Sequence, residues 1–308
     1  MYTTRPIFQL ALVALLLCSA VTFNAKETAA EDAAKEKELL AVLQSEAPEA
    51  EKAITCKLLA IHGSAKAVPE LAKLLPNPRL TSWARIALEA IPGPEADEAL
   101  RDAASNVEGR TLIGVLNSIG VRQDAQAVEL LAGLVANKDE GVASAAAVSL
   151  GKIGNEEATT ALLKSLAEPG SPKIRSALAE GIIRCAERRL ADGNNAEAIK
   201  LYDELRHPEL PKQRIIEATR GSILARGEEG LELLLALFES NDKKMFQLGL
   251  QTAREFPGSN VDQKLAEHWR KRLTITKMPL IYFLNQLSLP LSLLYCTCKE
   301  MSGVGLLT

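Results

Sequence analysis

Residues 139–166, DEGVASAAAVSLGKIGNEEATTALLKSL, read as one helix, a glycine stop and a second helix. Val142, Ala145, Ala146, Leu150 and Ile153 recur at spacings of three and four, which puts them on one helical face. Gly154 ends that helix, because glycine enters the left-handed conformation at little cost. Asn155 follows as a cap, and Glu156 and Glu157 bring negative charge to the positive end of the next helix. Ala158, Leu162, Leu163 and Leu166 give that helix its own apolar stripe. Two short amphipathic helices cannot bury such stripes alone, so the stretch demands neighbours of its own kind.

Those neighbours recur on both sides. In the second helix of each unit a small residue leads, with apolar or bulky residues four and seven or eight positions later. The series is Ala67/Leu71/Leu74, Ala96/Leu100/Ala103, Ala127/Leu131/Leu134, Ala158/Leu162/Leu166, Ala198/Tyr202/Leu205, Gly230/Leu234/Leu237 and Val261/Leu265/Trp269. The leading residues step by 29, 31, 31, 40, 32 and 31, and periods near thirty mark a helical solenoid. First helices follow the same register: Leu58-Leu-Ala-Ile-His-Gly63 parallels Leu88-Glu-Ala-Ile-Pro-Gly93, and Leu116-Asn-Ser-Ile-Gly120 parallels Leu150-Gly-Lys-Ile-Gly154. The expected fold is therefore all-α, a right-handed α-solenoid of about seven helix pairs over residues 38–272.

Asp139 to Gly154, with Val142, Ala145, Ala146, Leu150, Gly151 and Ile153, resembles the first helix of a HEAT repeat of the short, bacterial lyase-like type. Ile174, Arg175 and Leu178 echo that pattern after Pro172. Ala143 stands where the family often carries an arginine. The 40-residue step holds a longer helix, Ile174 to Leu190, and Cys185 to Tyr202 resembles a tetratricopeptide turn. The resemblance implies an extended face, lined by second helices, that grips a protein or peptide.

Composition agrees. The chain is 47% apolar but only 4% aromatic, dominated by alanine and leucine, which suits closely approaching helices better than a sheet. A net charge of −3 leaves no basic excess to displace counterions from phosphates, so nucleic acid is not an expected partner. His62, His207 and His268 fall in distant units, and Cys18, Cys56, Cys185, Cys296 and Cys298 match no metal-site spacing. No cofactor, metal or catalytic residue is expected, and the chain does not read as an enzyme. Glu156-Glu157 and Glu228-Glu229 read as helix-start charges. Arg184, Arg188 and Arg189 form the densest basic group on one helix, and with Tyr202 they are the candidate binding residues. The plainer reading of the arginines is a solvated face paired with Glu180 and Glu187. Trp83 and Trp269 read as packing residues that become interface anchors if exposed.

The ends differ from the repeats. Residues 1–25 read as a signal peptide: Arg5 precedes an apolar run from Ile7 to Leu17, and Cys18-Ser19-Ala20 offers small residues for cleavage, with Ala25 a second end. Residues 26–37, KETAAEDAAKEK, read as a solvated linker. Residues 273–308 form a hydrophobic tail, with Met278 to Cys298 long enough to cross a bilayer. Arg270, Lys271, Arg272 and Lys277 beside it oppose the positive-inside tendency for an exported chain, so three readings stay open: an anchor, a hydrophobic cap, or the truncated end of a longer protein. The leading expectation is an exported scaffold, periplasmic or secreted, that binds a protein. The alternative is the accessory part of a larger secreted enzyme whose catalytic module is absent from this chain, and a lyase-like enzyme, which the resemblance leaves open, comes third.

Overall fold

A computed structural model describes residues 31–256 together with 264, 265 and 267. Among the described residues every regular element is helical. The chain divides into two compact units, Met1–Pro169 and Gly170–Thr308. Each is a stack of antiparallel helix pairs of the α-solenoid kind.

The first unit opens with α1, covering 31–44, followed by four pairs. These are α2 (Glu49–His62) with α3 (Val68–Ala72), α4 (Thr81–Ala90) with α5 (Pro94–Ala104), α6 (Gly109–Arg122) with α7 (Val128–Leu134), and α8 (Glu140–Ile153) with α9 (Glu156–Ala167). First helices pack on first helices, α2 on α4, α4 on α6 and α6 on α8, while α3 meets α5 and α7 meets α9. In the second unit α10 (Pro172–Ala191) pairs with α11 (Asn195–Glu204), α12 (Lys212–Ala225) pairs with α13 (Leu231–Glu239), and α14 (Lys243–Glu255) packs on α12 and α13. Six complete pairs and the first helix of a seventh thus lie among the described residues.

The template stretch folds as its sequence predicts. Asp139 accepts hydrogen bonds from the amides of Gly141 (2.7 Å) and Val142 (3.4 Å), closing the start of α8. Gly154 ends it at φ 60°, ψ 16°, and Asn155 caps α9 by accepting from the Ala158 amide at 2.8 Å. The leading row of the second helices, Ala67, Ala96, Ala127, Ala158, Ala198 and Gly230, is buried throughout, and so is the row four residues on. Gly230 replaces alanine because a Cβ there would fall on the Ile223 carbonyl. Val261 and Trp269 lie outside the described residues.

The third row is displaced by one in three units, whereas Leu205 and Leu237 are buried where expected. Leu75, Ala104 and Val135 are buried where Leu74, Ala103 and Leu134 were expected. After α3 the chain tightens into three-residue bonds, Leu74 amide to Leu71 carbonyl and Leu75 amide to Ala72 carbonyl, which rotate Leu75 inward. A similar slip affects α2: Leu59, not Leu58, is the fully buried counterpart of Leu88, and Ile61 faces solvent.

Gly120 is not a helix stop. Helix α6 continues to Arg122 and ends on Gln123 in the left-handed region at φ 56°. Gly120 instead lets α6 approach α8, since a Cβ there would lie 2.9 Å from the Ser149 Cα. Ser149 completes the contact by donating to the Leu116 carbonyl at 2.8 Å.

The charged stretch 26–37 departs from its expectation as a solvated linker. Residues 31–37 belong to α1, where alanine, glutamate and lysine extend the helix ahead of buried Leu39 and Leu43. Glu36 shares their face and turns inward, accepting from the Ser64 amide (2.6 Å) and hydroxyl (2.8 Å) ahead of α3. The signal segment 1–25 and the tail 273–308 lie outside the described residues.

Candidate interaction surface

On α2, α4 and α6, burial of one face turns the opposite face outward. In α2, Thr55, Cys56 and Leu59 turn inward, leaving Ile54 and Ile61, seven residues apart, 62% and 70% exposed. In α4, buried Ala84, Ala87 and Leu88 leave Trp83 and Ile86 exposed, and in α6 Val121 is exposed past buried Ile119 and Gly120. These five are the large apolar side chains that face solvent among the described residues, and all sit on three consecutive first helices. Trp83 meets the condition set for an interface anchor.

Three arginines between those helices are engaged, although the Arg85 Nε and the Thr81 hydroxyl are buried without a hydrogen-bond partner among the described residues. Arg122 is 9% exposed and plugs the end of α4, donating to the carbonyls of Leu88 (2.7 Å), Ile91 (2.6 Å) and Gly93 (2.8 Å) and pairing with Asp97. Carbonyls at a helix C-terminus carry negative partial charge, so a guanidinium suits the position. Arg85 donates to the Gly114 carbonyl (2.9 Å) and Ser118 hydroxyl (3.0 Å), and burial holds its guanidinium below its usual range. Arg101 pairs with buried Asp124.

Second helices carry a different surface. Between α3 and α5 lies a cleft of about 430 Å³, floored by Val68, Ala72, Ala99 and Ala103 and walled by Glu95, Glu98 and Asp102. Among the described residues beside α13, a cleft of about 720 Å³ sets Leu231 and Leu235 alongside Glu228, Glu229, Glu232, Lys264 and Glu267. Glu228 and Glu229 stand in the tight turn before α13 and line this cleft, whereas Glu156 and Glu157 occupy the first turn of α9. Among the described residues no group of three acidic, histidine or cysteine side chains could hold a metal ion.

The four residues singled out from sequence are not gathered into one site. Arg184 is 45% exposed and pairs with Glu180 at 3.2 Å, while Arg189 pairs with Glu197 at 3.1 Å and is mostly covered. Arg188 stands in the last turn of α10. Tyr202 is buried to 3% exposure against Gly221, where a Cβ would fall on its ring. Burial, reinforced by the Glu187 charge and opposed by Arg220, pushes its phenol up to about 12. It is therefore a core residue. His62 bonds Asp32 of α1 at 2.7 Å, His207 is exposed between α11 and α12, and His268 lies outside the described residues. Cys56 is a buried thiol that desolvation pushes up to about 11, and Cys185 is likewise buried.

Comparison with known proteins fits this class. Residues 110–183 match the family described as HEAT repeats, a stretch running from α6 into α10. That stretch is similar to HEAT repeats, and the class that the fold defines is a helical-repeat protein. No curated protein matches the chain. A solved crystal structure of an engineered protein is similar at 20% identity over 72% of this chain and 95% of its own, with a TM-score of 0.30. A superposition that loose fixes no shared shape.

Proposed function

We infer that this chain is an exported helical-repeat scaffold that binds a protein partner through its surface. The observation that carries the reading is the outward row Ile54, Ile61, Trp83, Ile86 and Val121. Large apolar side chains held in solvent on successive helices are the mark of an interaction surface, and tryptophan is among the strongest anchors. The similarity to HEAT repeats at 110–183 supports the reading, because stacked helices offer an extended, rigid surface. Export is supported by Arg5 and the apolar run Ile7 to Leu17. Among the described residues no helix is long and apolar enough to cross a membrane, and Met278 to Cys298 lies outside them.

The test compares the wild-type chain with Ile54→Lys/Ile86→Lys as baits on the same exported fraction. A protein retained by the first and lost by the second supports the scaffold; identical retained sets sink it. N-terminal sequencing of the mature product tests export, with a start after Ala20 or Ala25 expected. A cytoplasmic product that keeps Met1 rules it out.

A further inference from the structure

We propose that the second-helix clefts receive a cationic polypeptide segment, its lysine or arginine side chains meeting the carboxylates and its small apolar residues the floor. The proposal rests on reading the chain as a binding scaffold and adds the partner's chemistry and a surface separate from the apolar row. Glu95, Glu98 and Asp102 stand at spacings of three and four, on one face of α5. Like charges so placed repel one another in the isolated helix, and an incoming cation relieves that repulsion. The neighbouring cations are spent elsewhere: Arg101 turns to Asp124 and Lys73 to Glu70. Among the described residues no lysine or arginine lines this cleft.

The second unit repeats the arrangement independently. There, among the described residues, Leu231 and Leu235 line a cleft with Glu228, Glu229 and Glu232, and Lys264 lines it as well. Carboxylates spread over successive helical turns, with no grouping among the described residues that could hold a metal ion, suit charges spaced along a chain better than a single compact ion. A floor of alanine, valine and proline, with Pro69 and Pro76 at its edge, favours a polypeptide over a fully hydrated cation. Electrostatic complementarity of this kind sets which partner binds and how fast, and weakens with salt.

The experiment titrates the full chain into a fluorescent peptide of repeating Lys-Ala-Pro and follows anisotropy at low and high salt. Saturable binding is expected, weaker at high salt, with no binding of the Glu-Ala-Pro counterpart. The variant Glu95→Gln/Glu98→Gln/Asp102→Asn is expected to bind about tenfold more weakly with unchanged circular dichroism. The control Glu51→Gln/Glu108→Gln/Glu140→Gln removes the same charge from exposed first-helix positions and is expected to bind like wild type. Absence of saturable binding overturns the proposal, and so does equal weakening in both variants, which makes net charge the cause. If either happens while capture through Ile54 and Ile86 persists, the scaffold reading stands and the cationic partner falls.

Discussion

In the first unit two of the arginines that join neighbouring helices end on backbone, while Arg101 ends on Asp124 and Arg79 on Glu49. Arg122 holds three carbonyls at the end of α4, and Arg85 holds the Gly114 carbonyl. In the second unit they end on carboxylates. Arg214 reaches Glu180 (2.6 Å) and Glu217 (2.7 Å), Arg226 reaches Asp203 (2.5 Å), and Arg220 pairs with Glu255. The difference lies in what can be switched off. A carbonyl cannot be protonated and the Arg122 contact is shielded from salt, whereas Glu255 and Asp203 titrate and keep much of their surface in water. One repeat scheme thus yields joints to fixed dipoles, found in the first unit, beside joints to titratable charges, which carry the second.

Replacing Arg122 tests the first half most severely. Arg122→Leu leaves Asp97 without its cation and strips the end of α4 of its donors, and removing one partner of a buried charge pair costs about 3–5 kcal/mol. Urea unfolding followed by hydrogen exchange should show α4 and α6 losing protection while α12 keeps its own. A loss below about 1 kcal/mol would place Arg122 among ordinary surface residues and dissolve the contrast.

Gly221 tests how the second unit fits a large core side chain. Tyr202 stands where the other described units carry leucine, and the space for its ring comes from Gly221 on α12. Gly221→Ala should destabilise the chain by about 1–3 kcal/mol through overpacking, despite alanine's better helix propensity. Adding Tyr202→Leu should recover part of that loss, a coupling that thermal unfolding of the four-member cycle would measure. Additive effects would mean that ring and glycine are independent.

These cases also mark how far the sequence could be read. The leading and fourth-residue rows were legible because a residue repeated every thirty or so positions and buried in every described unit leaves a period. The one-residue slips at Leu59 and at Leu75 were not, since both candidates lie within the same apolar stripe and the local turn decides which points inward. Gly120 looked like Gly154 because a glycine after an isoleucine serves a helix stop and a close helix approach equally well. The interaction surface was legible only at Trp83, and there only as a condition. Ile61 matched buried Ile91 in sequence, and its exposure follows from the register of α2 against α4. Tyr202 looked available until its partner Gly221, nineteen residues on, could be placed against it.

Acid should separate the two units next. Burial pushes the Asp203 carboxyl up, but hydrogen bonds from Arg226, Ser222 and Arg206 outweigh it and hold the group below its ordinary 3.8. A carboxylate with a depressed folded pKa stabilises above its unfolded value, and that contribution is lost as pH falls through the folded one. Stability of α11 and α12 should therefore decline below about pH 4. Asp203→Asn should start lower at neutral pH and flatten that decline in acid titrations followed by circular dichroism. An unchanged slope would remove Asp203 from the account.

The smallest effect belongs to Arg220 and Glu255, although theirs is among the closest pairs in the molecule. Hydrogen bonding from Arg220 holds Glu255 low, and the same bond raises Arg220. Yet the two side chains are 46% and 42% exposed, and pairs of that kind are worth about 0–1 kcal/mol because water and salt screen them. Glu255→Gln should cost less than about 1 kcal/mol in low salt and nothing measurable in molar salt, read as the shift in thermal midpoint. A loss comparable to that of Arg122→Leu would show that exposed carboxylates clamp α12 to α14 as firmly as backbone carbonyls hold Arg122. The distinction between fixed and titratable joints would then have to be drawn by geometry, through the two-pronged Arg220–Glu255 pairing, and no longer by burial.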